Sequence, residues 1–287
     1  MDVRPSPIAG TWYPGDPAVL RDSIQTFLSG SVLDLPAGRI TGVIVPHAGH
    51  RYSGQVAAYA FNCLRGLHPD LVAVVSPMHH PYRAALLTTG HEAYRTPLGE
   101  VLVDRAAVDA LGEWVNKRLN VELTPIRNDP EHALEIELPF LQCVLGSFRL
   151  LPVMVMDQEA ETARGLGSAL AEVLKDRQAL LVASSDLSHY YPQATAEALD
   201  EEMLRRVEAF DPGRVMSAEE EGVGFACGRA AIAAVLWAAR ELGADRVRVL
   251  KHATSGEVTG DYDAVVGYGA AVIWHSPGEA PPIASSQ

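Results

Sequence analysis

Three histidine-bearing segments and one cysteine stand out for the chemistry they could share. PHAGH (46–50), SPMHH (76–80) and SSDLSH (184–189) each follow a short apolar run, and Cys227 directly precedes a helical pattern opening at Gly228. Two imidazoles and one anionic ligand leave open positions on a metal ion, which is what catalytic sites need. His47, His79 and Cys227 can supply that set. Neighbouring residues in an extended segment point to opposite sides, so His79-His80 can give one imidazole to a pocket and the other to packing or solvent. Cys227 stands before a helix start and two residues from Arg229. Both features would lower a thiol pKa and favour the metal-binding thiolate. A small buried cysteine beside a tight turn is the commoner use of such a position.

Two further positions suit proton transfer. Asp186 and His189 bracket Leu187-Ser188 after a strand; a carboxylate and an imidazole near a metal orient ligands or shuttle protons. The plain alternative is a helix-capping aspartate and an exposed histidine. In EHALEIE (131–137), His132 falls on the helix face of Glu135 and is either pocket-facing or part of a solvated helix start. His50 is either a supporting residue or exposed, and His68, His91, His252 and His275 read as surface or hydrogen-bonded histidines. Other chemistries lack their motifs: there is no GxSxG elbow, no phosphate-binding GxxxxGK[ST] loop and no HExxH. GLGSAL (165–170) lies inside an amphipathic helix rather than after a strand, so it is not a dinucleotide fingerprint.

The elements that must position these residues alternate in type. Strands are expected at 42–45, 71–76, 84–89, 150–155, 179–183, 246–250 and 264–274. Helices are expected from Ser53 and Asp104 as caps, over Glu131–Leu145 with Pro139 as a kink, and over 158–174, 194–210 and 228–242. That alternation predicts an α/β protein, a three-layer α/β/α sandwich around a central, mostly parallel or mixed sheet. Ligands in such folds bind beyond the carboxyl ends of the strands, where the histidine segments fall. No linker or internal repeat divides the chain, so one domain spans residues 5–275, and the Pro/Ser-rich tail 276–287 reads as disordered.

Composition narrows the function. The 287 residues are 48% hydrophobic and 21% charged, enough for a sizeable core. A net charge of -13 argues against nucleic acid and against a polybasic membrane anchor. The opening MDVRPSPIAG has no apolar run of a signal peptide, and no 18-residue apolar stretch occurs. The three cysteines are too scattered for a disulfide framework or a CxxC zinc site, and Cys63 and Cys143 read as helix core. A cytoplasmic location is expected.

AGTWYP (9–14), PHAGHRYSG (46–54), SPMHH (76–80), YRTPLG (94–99), EHALEIELPFL (131–141), SSDLSHY (184–190) and ACGR (226–229) occur together and in this order. The chain thereby resembles, over residues 8–274, the Memo-like proteins, whose prokaryotic members are called AmmeMemoRadiSam system protein B. That family resembles class III extradiol ring-cleaving dioxygenases of the LigB type, which hold non-haem Fe(II) with two histidines and a glutamate. The resemblance implies His47 and His79 as ligands, Cys227 in place of the carboxylate, and His189 as acid/base. Fe(II) is the first expectation, and a thiolate widens the choice to Cu or Zn. The implied activity is metal-dependent oxidation of a small molecule. The alternative is a non-catalytic module that binds a peptide or protein in the same pocket, with a zinc hydrolase a third option. Trp12, Tyr52 and Arg229 would line the pocket. The family name implies an AMME-type protein and a radical SAM enzyme as partners.

Overall fold

The computed structural model describes residues 1–31 and 37–277; the expected disordered tail lies outside it from residue 278 onward. The strands are β1 (Val3–Arg4), β2 (Arg39–Val45), β3 (Leu71–Pro77), β4 (Leu86–Thr89), β5 (Ala93–Thr96), β6 (Gly99–Leu102), β7 (Leu123–Ile126), β8 (Arg149–Val155), β9 (Ala179–Ser184), β10 (His189–Tyr191), β11 (Arg246–Thr254) and β12 (Val265–His275). The helices are α1 (Pro17–Ser29), α2 (His50–Asn62), α3 (Arg105–Leu119), α4 (Leu138–Leu145), α5 (Ala160–Leu174), α6 (Gln193–Glu208), α7 (Pro212–Ser217), α8 (Arg229–Glu241) and α9 (Gly256–Thr259), with a single 3-10 turn at Glu135–Glu137.

The large sheet runs β10-β12-β2-β9-β3-β8-β4-β7, with β11 also on β12. Its centre, β2-β9-β3-β8, is parallel throughout. The strands β12 and β4 join it antiparallel on either side. All seven residues of β3 are buried, which explains its continuous apolar run: a central parallel strand is covered on both faces. The helix α8, backed by α5, packs on β2, β9 and β3, while α2, backed by α1 and α4, packs on β2 and β12. The result is the mixed, layered α/β architecture that the alternation predicted.

Two local expectations fail for physical reasons. α2 begins at His50 rather than after Ser53, with Gly49 as its cap and no side-chain cap bond. Segment 131–145 is not one helix: residues through Leu134 are irregular, and α4 starts only at Leu138. Pro139 sits in its first turn, where the missing N–H costs nothing, so it starts the helix rather than kinking it. The carboxylates of Glu131 and Glu135 make buried bonds with other elements, to His79 and to Arg4 and Tyr13. A small second sheet, β1-β5-β6, was not foreseen because its strands are only two to four residues long.

Candidate metal centre

Three adjacent parallel strands deliver the site. β2 ends at Val45 and runs into Pro46-His47; β9, its neighbour, ends at Ser184 and runs into Ser185-Asp186; β3, next along, runs into Met78-His79. Because these strands are parallel, their carboxyl ends share one edge. Cys227 reaches the same edge from the turn before α8, its amide donating to the Asp186 carbonyl at 3.2 Å. Glycine at 228 makes this approach possible. A Cβ there would lie 2.6 Å from the Ser184 carbonyl oxygen, and the Gly228 N–H donates to Ser185 Oγ at 2.9 Å.

Ligand atoms of His47, His79 and Cys227 all lie within 4.8 Å of one another. Cys227 Sγ and His47 Nε2 are 3.2 Å apart. Such separations are on the scale of two metal–ligand bonds of about 2.0–2.3 Å each. The donor set, two imidazoles and a thiol, fits a first-row transition metal.

Supporting bonds fix each imidazole. His47 Nδ1 lies 2.9 Å from Ser184 Oγ, which is also 2.7 Å from the Ala133 carbonyl and 2.7 Å from Glu137 Oε1. A hydroxyl has one proton and two lone pairs. Its proton goes to the Ala133 carbonyl, which can only accept, so His47 Nδ1–H donates to the hydroxyl. That tautomer leaves the Nε2 lone pair facing Cys227. Burial holds Glu137 well above the usual carboxylate range, and as a carboxylic acid it can donate the remaining bond to Ser184. His79 is oriented differently: its Nδ1 lies 2.9 Å from Glu131 Oε1, and its backbone N–H donates to Glu131 Oε2 at 2.5 Å. Glu131 also accepts from the amides of His132 and Ala133 at 3.0 and 2.9 Å. Burial alone would raise the Glu131 pKa, but its bonds from His79 and these amides outweigh it and hold the group at about 2. A histidine bonded to a carboxylate on one nitrogen and free on the other is a common way to orient a metal ligand.

The remaining candidates separate. Asp186 caps no helix: its carboxylate accepts from the amides of His47 and Ala48 at 2.8 and 3.2 Å, and burial pushes it up to about 7. It thus holds the turn that carries His47. His189 lines the cavity; its Nδ1–H donates to the Leu187 carbonyl at 2.8 Å, leaving Nε2 as a base, and burial lowers its pKa. His132 leaves the expected helix face of Glu135 and stacks between Trp12 and His79, with ring centroids at 4.1 and 4.8 Å. Burial lowers its pKa to about 4. Trp12 and Tyr52 line the cavity as expected residues of its wall.

Arg229 is a correction. Its guanidinium pairs with Glu219 and borders a different hollow beside α7, because the first turn of α8 rotates it away from the cavity. The Cys227 thiol therefore gains nothing from it. Burial, and then the charge of Asp186, push that thiol well above its ordinary value. A thiolate at this position depends on a bound cation, not on the helix start or Arg229. His50 is buried rather than exposed, donating from Nε2 to the Ile136 carbonyl at 3.0 Å and packing on Tyr13 and Phe140.

Sequence reasoning missed Ser184, Glu131 and Glu137 as supports and Tyr190 and Tyr268 as cavity wall. Ser184 and Glu131 lay inside quoted motifs, but nothing in the spacing says which histidine each one holds. Tyr190 has φ +62°, an uncommon left-handed value for a bulky residue, at a register shift between β10 and β12. The bulge leaves its side chain 75% exposed at the mouth of the cavity.

The cavity occupies about 900 Å³ at the edge of the parallel strands. Fold and site together define an α/β protein that gathers two imidazoles and a thiol beneath an open pocket. The family of Memo-like proteins matches residues 4–272. A MEMO1 family protein of Methanopyrus kandleri is 36% identical over 95% of this chain and 99% of its own length. Another, from Nitrosopumilus maritimus, is 34% identical over 93% of this chain and 98% of its own length. A third, from Methanothermobacter thermautotrophicus, is 36% identical over 93% and 98%. The chain belongs to the Memo-like family.

Proposed function

We propose that the protein is a metal-dependent oxidoreductase in which His47, His79 and Cys227 hold a transition metal at the floor of the cavity. The observation that carries this reading is the convergence of the three donor atoms within 4.8 Å, two of them on imidazoles whose other nitrogen is already engaged. Iron is the first choice, with copper or zinc as the alternatives a thiolate favours. When bound, the metal would supply open positions for O₂ and for the two oxygens of a small catecholic substrate. The reaction class is oxidative ring opening, in which both atoms of O₂ enter the product and the ring supplies the electrons, so no external reductant is required.

This chain's residues have separable tasks. Asp186 fixes the His47 turn, and Glu131 and Ser184 fix the two imidazoles. His189 Nε2 takes the phenolic proton and returns it to the product, in keeping with its lowered pKa. Trp12 and His132 pack together as one aromatic wall of the cavity against which a ring can lie.

Elemental analysis of protein purified without oxygen tests the reading, wild type beside Cys227→Ala and His47→Ala. About one equivalent of iron or copper in the wild type, lost in both variants, supports the centre, and oxygen uptake with a catechol panel then tests the chemistry. Metal-replete protein inert toward the whole panel would overturn the oxidoreductase assignment. It would favour a module that uses the cavity only to bind.

A further inference from the structure

A fully buried carboxylate stands behind His189 that the ring-opening scheme does not use. Asp200 of α6 is 0% exposed, and a charge so placed needs partners. Its Oδ1 accepts from the backbone N–H of Ser188 at 2.9 Å. Its Oδ2 lies 2.8 Å from Nε2 of His252 on β11. β12 makes room for the carboxylate with Gly267, where a Cβ would sit 1.9 Å from Oδ2. The same glycine also grips the turn before His189. Its N–H donates to the Ser188 carbonyl and its carbonyl accepts from the Leu187 N–H, each at 2.8 Å.

The bond to Ser188 matters because of what lies at the other end of that peptide unit. The N–H of Ser188 and the carbonyl of Leu187 belong to one planar amide. Asp200 holds the N–H, and the Leu187 carbonyl accepts from His189 Nδ1–H at 2.8 Å. The carboxylate therefore reaches the imidazole through a single amide, which it both orients and polarises. Bonds to an ionised acceptor are roughly twice as strong as neutral ones, and bonds in a chain strengthen one another. A more negative Leu187 oxygen holds the ring in the Nδ1–H tautomer and steadies the positive charge that the ring gains when Nε2 takes a proton. Nε2 is the nitrogen left for the cavity that His189 lines. The rings of Tyr190 and Phe225 flank His189 in edge contacts at 5.8 and 5.6 Å, which fill space without choosing a tautomer.

Resting on the reading of His189 as the acid/base group, we propose that Asp200 is its positioning residue, acting through the Leu187–Ser188 peptide, with His252 anchoring the far carboxylate oxygen. The arrangement is a carboxylate–imidazole pair with an amide interposed.

Heteronuclear NMR of the full chain, chelator-treated and labelled at histidine and serine, tests this with the wild type, Asp200→Asn and Asp200→Ala. In the wild type the proton of neutral His189 should sit on Nδ1. Asp200→Asn keeps an acceptor for the Ser188 amide and removes its charge, so the Ser188 N–H and His189 Nδ1–H signals should both move upfield. Asp200→Ala should in addition let the Nε2–H tautomer of His189 rise to a comparable share, with the His47 and His79 ring signals in place. A His189 proton on Nε2 in the wild type would overturn the proposal. So would a His189 signal that stays fixed in Asp200→Asn, or a disturbance spread equally over all three histidines. Asp200→Asn carries the test by itself if the alanine variant does not fold. No turnover is needed, so the two readings fail separately. A chain inert toward every catechol whose His189 follows Asp200 loses the oxidoreductase assignment and keeps the positioning role. A chain that opens catechols with His189 indifferent to Asp200 does the reverse.

Discussion

At the scale of single residues, the candidate centre is made by the groups behind the donors as much as by the donors themselves. Ser184 sets the tautomer of His47, because an oxygen with one proton cannot donate to a carbonyl, a carboxyl and an imidazole at once. Ser184→Ala should lower metal affinity by about 10- to 100-fold with the three donors untouched, read by competition against a chromophoric chelator. Glu131 should show itself through acid. Its pKa falls from an ordinary 4.5 to about 2 in the fold. A carboxylate held low contributes stability that is fully present above its unfolded value and is lost as pH falls through the folded one. The metal-free protein should thus lose stability between about pH 4.5 and pH 2, and Glu131→Gln should flatten that part of the profile in denaturant titrations. Cys227 teaches the opposite lesson. Its sequence neighbours suggested an acidic thiol, yet burial decides its state and leaves it protonated unless a cation is bound.

At the scale of elements, the order β2-β9-β3 does the assembling. Placing β9 between β2 and β3 sets the turns after their carboxyl ends side by side, although His47 and Asp186 are 139 residues apart. The α8 entry turn then has to pass close against the end of β9. Gly228→Ala would drive a methyl group into the Ser184 carbonyl at 2.6 Å, and the backbone must move to relieve it. The expected outcome is a loss of roughly 1–3 kcal/mol in stability, with a larger proportional loss of metal binding than at a remote glycine-to-alanine site. Chelator competition and denaturant melts on the same samples separate the two effects.

At the scale of the whole molecule, the chain's beginning locks the loop that carries Glu131 and His132. Arg4 of β1 is 1% exposed. It donates from Nε and Nη2 to the two carboxylate oxygens of Asp129 at 3.0 and 2.8 Å, to the Glu131 carbonyl at 2.8 Å, and from Nη1 to Glu135. Tyr13 adds its hydroxyl to Glu135 at 2.7 Å. Removing one partner from a buried ionic cluster strands the others. Arg4→Met should therefore cost about 3–5 kcal/mol in unfolding experiments and weaken metal binding more than its distance from the donors suggests. Among the described residues, no helix is long and apolar enough to cross a membrane.

The sequence by itself determined the alternation of strand and helix, because buried parallel strands and amphipathic helices carry different periods that survive in one dimension. It also marked His47, His79, His189 and Cys227, since those residue types at strand ends and a helix entry are unusual enough to notice. The short strands β1, β5, β6 and β7 left no such trace, having too few residues to show a period. Only the tertiary structure decided which polar residues stand behind which histidine. Those partnerships join β9 to the 3-10 turn, and the 131–134 loop to the end of β3, across long stretches of chain. Only it showed that Arg229 turns away and that His132 turns in. Side-chain direction at an irregular segment depends on backbone dihedrals and on competing partners, here Arg4 for Glu135 and His79 for Glu131, which no local spacing encodes.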